Sequence, residues 1–220
     1  YSLKSGSGSC NIAIGWAAAQ NFTGHWGTFL GTAAGKYATS ACHSIAIGCG
    51  ALAGTNSTAN SGNYNIAFGM NAGTKMSTGT NNVLLGKDAG MCLTSGSYNL
   101  AMGIDALGDA TLTGDHNIGF GYATGEKMTS GEHNVLLGYF AGGKITDATE
   151  NVFLGKSAGY EVTSSSHNVY IGDSAGKNRQ GGGRNIAIGK DVLTGSSTAA
   201  NNTGYYNIAF GVSAGKEVTS

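Results

Sequence analysis

Serine is the residue type in this sequence whose setting most resembles that of a catalytic nucleophile. Residues 155–159, 172–176 and 211–215 each match the pattern G-x-S-x-G, which in hydrolases places a serine on a sharp turn. Such a nucleophile occurs once and needs a general base beside it. The equivalent position in other parts of the chain holds different residues: Asn71, Asp88, Asp105, Phe140 and Asp191. Because these residues cannot replace one another in catalysis, the sequence predicts that the protein is not an enzyme and has no catalytic residue.

Histidine is the second candidate for chemistry, because neutral imidazole is a common metal ligand. Histidines and other aromatic residues share the position five residues before a recurring glycine: His43, His116, His133, His167, Trp26, Tyr64, Tyr98 and Tyr206. The favoured interpretation is a ladder of rings that covers a turn and needs no cofactor. The alternative is a metal site formed by His116 and His133 on adjacent turns, or by symmetry-related copies of them.

Both patterns arise because the chain is a tandem repeat. A glycine preceded by an apolar triplet returns every 16–22 residues, most often every 17: Gly15, Gly31, Gly48, Gly69, Gly86, Gly103, Gly121, Gly138, Gly155, Gly172, Gly189 and Gly211. Each copy has room for two short strands and two turns, and neither the spacing nor the glycine content suits a helix. The sequence therefore predicts an all-β fold, a parallel β-solenoid or β-roll of about twelve turns, as a single domain over residues 1–220.

The apolar triplet predicts which side chains point inward. Its first and third residues alternate around the middle one, so they share one face of a strand, and we expect them to form the solenoid core. The middle residue then points outward, yet it is polar in none of the twelve copies. An outward apolar stripe needs a partner. The sequence predicts a homotrimer with this column at the interface: Leu84, Leu136, Phe153 and Tyr170.

An asparagine column precedes the triplet. Stacked turns would place these side-chain amides above one another, about 4.8 Å apart, where they can hydrogen-bond from turn to turn. We expect a structural ladder: Asn65, Asn82, Asn99, Asn117, Asn134, Asn151, Asn168, Asn185 and Asn207.

Two polar insertions interrupt the regular period, at residues 54–64 and 195–206. Insertions in solenoids become loops on one edge, which is often a binding edge. The candidate binding-loop residues are Asn56, Tyr64, Asn201 and Tyr205, and the expected ligand is a cell-surface glycan or a protein receptor. A tolerated bulge without function is the alternative.

Composition narrows the classes of protein further. The chain has 12 basic and 12 acidic residues, so it lacks the basic excess of a nucleic-acid-binding protein. Its 40% hydrophobic content and absent net charge argue against disorder. No apolar run approaches the ~20 residues of a membrane helix, so no membrane insertion is expected.

Residues 44–53 read S-I-A-I-G-C-G-A-L-A and resemble the S-V-A-I-G-x-x-A-x-A repeat of trimeric autotransporter adhesin heads of the YadA type. Residues 151–159, N-V-F-L-G-K-S-A-G, are similar to repeats in bacteriophage tail fibres. The resemblance implies a trimeric β-roll that is a segment of a longer fibre, located outside the cell, on its surface or on a virion, and used for attachment. Two alternatives stay open: an extracellular filament of chains stacked end to end, and an ice-binding solenoid.

Overall fold

The structure is a computed structural model that describes residues 8–56, 59–196 and 203–216. The chain divides into two compact units, residues 1–113 and residues 114–220. Each unit is built from the same repeat: one three-residue strand, a bend at the recurring glycine, and a run of turns that leads to the next strand.

The first unit contains six parallel strands, each hydrogen-bonded to the next one along the chain. They are β1 (Ile12–Ile14), β2 (Thr28–Leu30), β3 (Ile45–Ile47), β4 (Ile66–Phe68), β5 (Val83–Leu85) and β6 (Leu100–Met102). Equivalent residues of successive copies pair directly, as Ala67 does with Leu84. This in-register stacking makes the unit a parallel β-solenoid, as predicted.

The second unit repeats the arrangement with six more parallel strands. They are β7 (Ile118–Phe120), β8 (Val135–Leu137), β9 (Val152–Leu154), β10 (Val169–Ile171), β11 (Ile186–Ile188) and β12 (Ile208–Phe210). Phe153 pairs with Leu136 on one side and with Tyr170 on the other, so each middle residue stacks on its equivalents. The all-β prediction is thus confirmed in both units.

The glycine that closes each strand is required by close contact between turns. Gly138 has φ +131, and a Cβ at this residue would lie 2.6 Å from the carbonyl oxygen of Gly155 in the next turn. Gly155 stands in the same relation to Gly172. Both the backbone conformation and the contact exclude a side chain, which explains why glycine returns at this position in every copy.

The predicted second strand of each copy is not formed among the described residues. That side of the coil consists of turns, with two isolated bridges, Ala38 to Asn60 and Leu93 to Leu112. Turn-to-turn backbone bonds still hold it together, for example from Gly142 N to Ala158 O at 2.9 Å. The reason is that the A-G segment adopts left-handed backbone conformations, as at Gly142 (φ +58), and these break an extended strand.

The predicted orientation of the strand residues is wrong. The middle residues, including the candidate interface residues Leu84, Leu136, Phe153 and Tyr170, are 0% exposed within one chain. The first and third residues, including Val135 and Leu137, are instead partly or fully exposed.

The coil is narrow, and this explains the inversion. It admits one inward side chain per strand, which packs against the alanine–glycine segment on the opposite side. A Cβ at Gly142 would lie 2.9 Å from the Leu136 side chain, and one at Gly90 would lie 2.7 Å from the Leu84 side chain. In three of the six copies whose middle residue is alanine, leucine replaces that glycine and fills the space, as in the pairs Ala46 with Leu52 and Ala101 with Leu107.

Candidate functional site

The outward side of the strands is apolar, although it faces solvent. We call the first and third residues of the twelve strands the outer strand face; all but Thr28 are Ile, Val, Leu, Met or Phe. Several are strongly exposed, among them Phe68 (54%) in the first unit and Phe120 (47%) in the second. In each unit these side chains recur at every turn and form an apolar stripe. An apolar stripe of this kind marks an interaction surface.

A second apolar column begins just beyond the glycine bend. The residue after the glycine is exposed and apolar or aromatic in half of the copies: Trp16, Met70, Ile104, Tyr122, Tyr139 and Val212. In the second unit, Tyr122 and Tyr139 stack with centroids 5.2 Å apart, and Phe140 packs edge-on against Tyr139 at 4.6 Å. We call these positions the post-glycine column. In these six copies the apolar surface therefore continues around the bend from the outer strand face.

The asparagine ladder is present and buried. Asn134 Oδ1 accepts hydrogen bonds from the backbone N of Asn151 at 3.1 Å and from its Nδ2 at 3.0 Å. Asn151 Oδ1 does the same for Asn168, and Asn168 Oδ1 for Asn185. Asn151 Nδ2 also donates to Ser165 O in the next turn at 3.0 Å. The side chains are therefore used in holding turns together, which confirms the structural interpretation of this column.

The aromatic and imidazole column also forms stacks. In the first unit His43 lies between Trp26 and Tyr64, with centroid distances of 4.6 and 4.8 Å. In the second unit His116 and His133 are 4.9 Å apart with planes 5° apart. The lone pair of an imidazole nitrogen lies in the plane of its ring, so two stacked, nearly parallel rings do not direct their lone pairs to one point, whereas ligands of one metal ion must converge on it. This geometry is that of a ring ladder rather than of a shared metal ion.

The serines of the G-x-S-x-G segments occupy a repeated turn. Ser157, Ser174 and Ser213 have φ between 54 and 58°, and Asn71 and Phe140 take the same conformation in their own copies. Ser174 Oγ hydrogen-bonds Asp173 Oδ1 at 3.0 Å. The positive φ is therefore a property of the repeat and is not particular to a nucleophile.

The candidate binding-loop residues do not share one kind of environment where the structure describes them. Tyr64 belongs to the ring ladder, and Asn56 is exposed beside residues 57–58, which the structure does not describe. Asn201 lies outside the described residues. Tyr205 lines a pocket of about 320 Å³ in the second unit, together with residues 164–167 and 181–184. We call this pocket the polar notch. Sequence reasoning missed it, although three consecutive glycines at 181–183 opposite three serines were a visible signal.

Next to the notch, the core of the second unit contains a buried cation. Arg179 stands where the three preceding copies have Met128, Ile145 and Val162, and it is 0% exposed. Its Nη2 donates to Gly204 O at 2.9 Å. Burial raises the pKa of the Tyr170 phenol to about 12, although the positive charge of Arg179 acts in the opposite direction. The phenol is therefore neutral at any ordinary pH.

Comparison of the chain with protein-family models, with curated proteins and with solved structures gives no match. Among the described residues, no group of three or more His, Cys, Asp or Glu side chains is placed to hold a metal ion. The same residues contain no helix long and apolar enough to cross a membrane.

Proposed function

We propose that the chain is a segment of an attachment fibre in which three copies pack together through the outer strand face. The observation that carries this proposal is the apolar stripe of exposed Ile, Val, Leu, Met and Phe side chains that recurs at every turn of both units. Association that removes such a stripe from water is stabilised by about 25 cal/mol per Å² of apolar surface buried. Identical chains present identical stripes, so self-association covers them without another protein.

Three-fold packing fits the two apolar columns better than two-fold packing does. The outer strand face and the post-glycine column lie on either side of the glycine bend, so the coil presents two adjoining apolar sides in the six copies whose post-glycine residue is apolar or aromatic. In the other six copies that residue is Thr32, Cys49, Lys87, Lys156, Asp173 or Lys190. In a closed three-fold arrangement each chain contacts two neighbours, one with each side. A face-to-face pair would cover the strands and leave residues such as Tyr122 and Tyr139 in water.

Attachment is proposed as the purpose of the fibre. The repeated turns provide stiffness through backbone bonds and buried asparagines, and the exposed polar turns provide sites for a glycan or a protein receptor on a cell surface. This role places the protein outside the cell or on a virion and assigns it no catalytic step. An ice-binding surface would need rows of threonine side chains. The outer strand face carries one threonine, Thr28, so it does not suit that role.

Electron microscopy of the purified chain in mild buffer tests the proposal against its main alternative. Discrete particles of uniform length are expected for a fibre segment. Open-ended polymers that grow with protein concentration would instead support the filament of chains stacked end to end.

A further inference from the structure

The polar notch in the second unit differs from the rest of the repeat because one turn has lost its side chains. Residues 181–183 are all glycine, whereas the equivalent residues of the preceding turn are Ser164, Ser165 and Ser166. The missing side chains leave the pocket of about 320 Å³ between that turn and Tyr205. This volume is at the lower end of the range of small-molecule sites in proteins.

The lining of the notch determines what it can bind. Arg184 is exposed, and among the described residues no carboxylate lies within ion-pair distance of its guanidinium, which stands 5.8 Å from the centroid of the Tyr206 ring. A guanidinium binds carboxylates with two parallel hydrogen bonds. On the same rim, His167 Nε2 lies 2.7 Å from Glu150 Oε2, so that carboxylate is already engaged.

The remaining lining suits hydroxyl groups and one flat apolar face. Ser164 is exposed, and a serine hydroxyl both donates and accepts hydrogen bonds. Tyr205 is 59% exposed and contributes an aromatic ring to the lining. The lining includes no aliphatic side chain, so it does not suit a lipid or another wholly apolar ligand.

We propose that the polar notch is a binding site for a sugar that carries a carboxylate, such as a hexuronic acid, with Arg184 holding the carboxylate. Ser164 contacts the sugar hydroxyls, and the Tyr205 ring packs against the C–H face of the sugar. All of these residues lie within one chain, so the site does not depend on the self-association proposed above, and either proposal can fail without the other.

A ligand-observed NMR titration of the full chain tests the site with galacturonate, with galactose, which differs in lacking the carboxylate, and with acetate. We expect galacturonate to bind with a dissociation constant of about 1 mM, as befits so small a ligand. Galactose and acetate should each bind at least about tenfold more weakly, because galactose lacks the carboxylate and acetate lacks the sugar ring with its hydroxyl groups.

Two variants identify the residue responsible. Arg184→Asn should weaken galacturonate binding at least about tenfold, since the carboxylate loses its charged partner. Asparagine is compatible with the backbone at this position, because Asn81 occupies the same column with φ 58° where Arg184 has φ 59°. The matched control is His133→Asn, in the same column but outside the notch, which should bind as the wild type does. No galacturonate binding by the wild type, equal binding of acetate, or unchanged binding by Arg184→Asn would each overturn the proposal.

Discussion

The ring of Tyr170 lies parallel to the ring of Phe153, with centroids 5.0 Å apart and planes 5° apart, and both side chains are completely buried. The two residues are middle residues of consecutive strands, so their stack runs along the axis of the coil rather than across a surface. Stacked rings in this position show that the interior of the coil is one residue wide.

Adjacent residues of one strand should respond differently to the same charge. Leu136→Asp places a carboxylate in the coil interior, where Leu136 is 0% exposed, and should lower the free energy of unfolding by at least about 3 kcal/mol. Leu137→Asp, on the half-buried outer strand face, should keep its β-sheet circular dichroism signal. Urea unfolding of both variants measures the difference. A tolerated Leu136→Asp beside an unfolded Leu137→Asp would reverse the orientation described here.

The middle residue of a strand and the glycine opposite it fill one space in the coil interior, so side-chain volume lost at one position should be replaceable at the other. Leu84→Ala should cost about 2–5 kcal/mol of stability through the cavity it leaves. Gly90→Leu should also destabilise, because a Cβ at Gly90 already lies 2.7 Å from the Leu84 side chain. The double variant recreates the natural combination of Ala101 with Leu107, so it should be more stable than the sum of the two single effects predicts. Strict additivity in a double-mutant cycle would mean that the two positions do not face each other.

The asparagine ladder should be sensitive to loss of its amide. Asn151→Ala removes the acceptor of the Asn168 backbone N–H and leaves that buried donor unsatisfied, which should cost about 2–4 kcal/mol across the several bonds involved. Asn151→Ser is the matched control, because Ser44 Oγ accepts from the Asn65 backbone N at 3.2 Å in the natural chain. Thermal unfolding should rank wild type above the serine variant and the serine variant above alanine. Equal stability of the alanine variant and the wild type would show that the ladder contributes nothing.

The stability of the second unit should fall in alkali. Because the pKa of Tyr170 is raised from 10.0 to about 12 in the folded chain, folding favours the neutral phenol. The stabilisation this provides is complete below pH 10 and is lost as the pH rises from about 10 to 12, a decrease of roughly 2–3 kcal/mol.

Tyr170→Phe keeps the stacked ring but cannot ionise, so its unfolding midpoint in urea should change less between pH 9 and pH 12 than that of the wild type. An identical pH dependence in Tyr170→Phe and wild type would contradict the assignment.

The repeat period made the strands, the closing glycines and the asparagine ladder predictable, because each depends on contacts between equivalent residues of neighbouring turns. The orientation of the strand was not predictable from alternation alone. All three residues of the triplet are apolar, so either face of the strand could point inward. Placing the two flanking residues inside, because they are the more numerous, gave the wrong answer.

One signal in the sequence favours the correct orientation. Leucine replaces the later glycine in three of the six copies whose middle residue is alanine (Ala46, Ala101 and Ala187) and in no copy with a larger middle residue, which indicates that the two positions share one volume. The polar notch was less accessible to sequence reasoning. The notch forms because Tyr205 lies beside glycines 181–183. Tyr205 follows an insertion whose residues 197–202 lie outside the described part, and the repeat period does not predict where a residue after such an insertion is placed.

The mass of the chain in solution tests the central proposal, self-association through the outer strand face, most directly. Sedimentation equilibrium at micromolar concentration should give about 66 kDa, three times the 22.1 kDa mass of one chain. Ile118→Lys combined with Phe120→Lys places charges on the exposed face of β7 and should dissociate the trimer, whereas the control Ser130→Lys with Glu132→Lys, on an exposed turn, should leave it intact. A wild-type chain that is a stable, soluble monomer of 22.1 kDa would contradict the proposal.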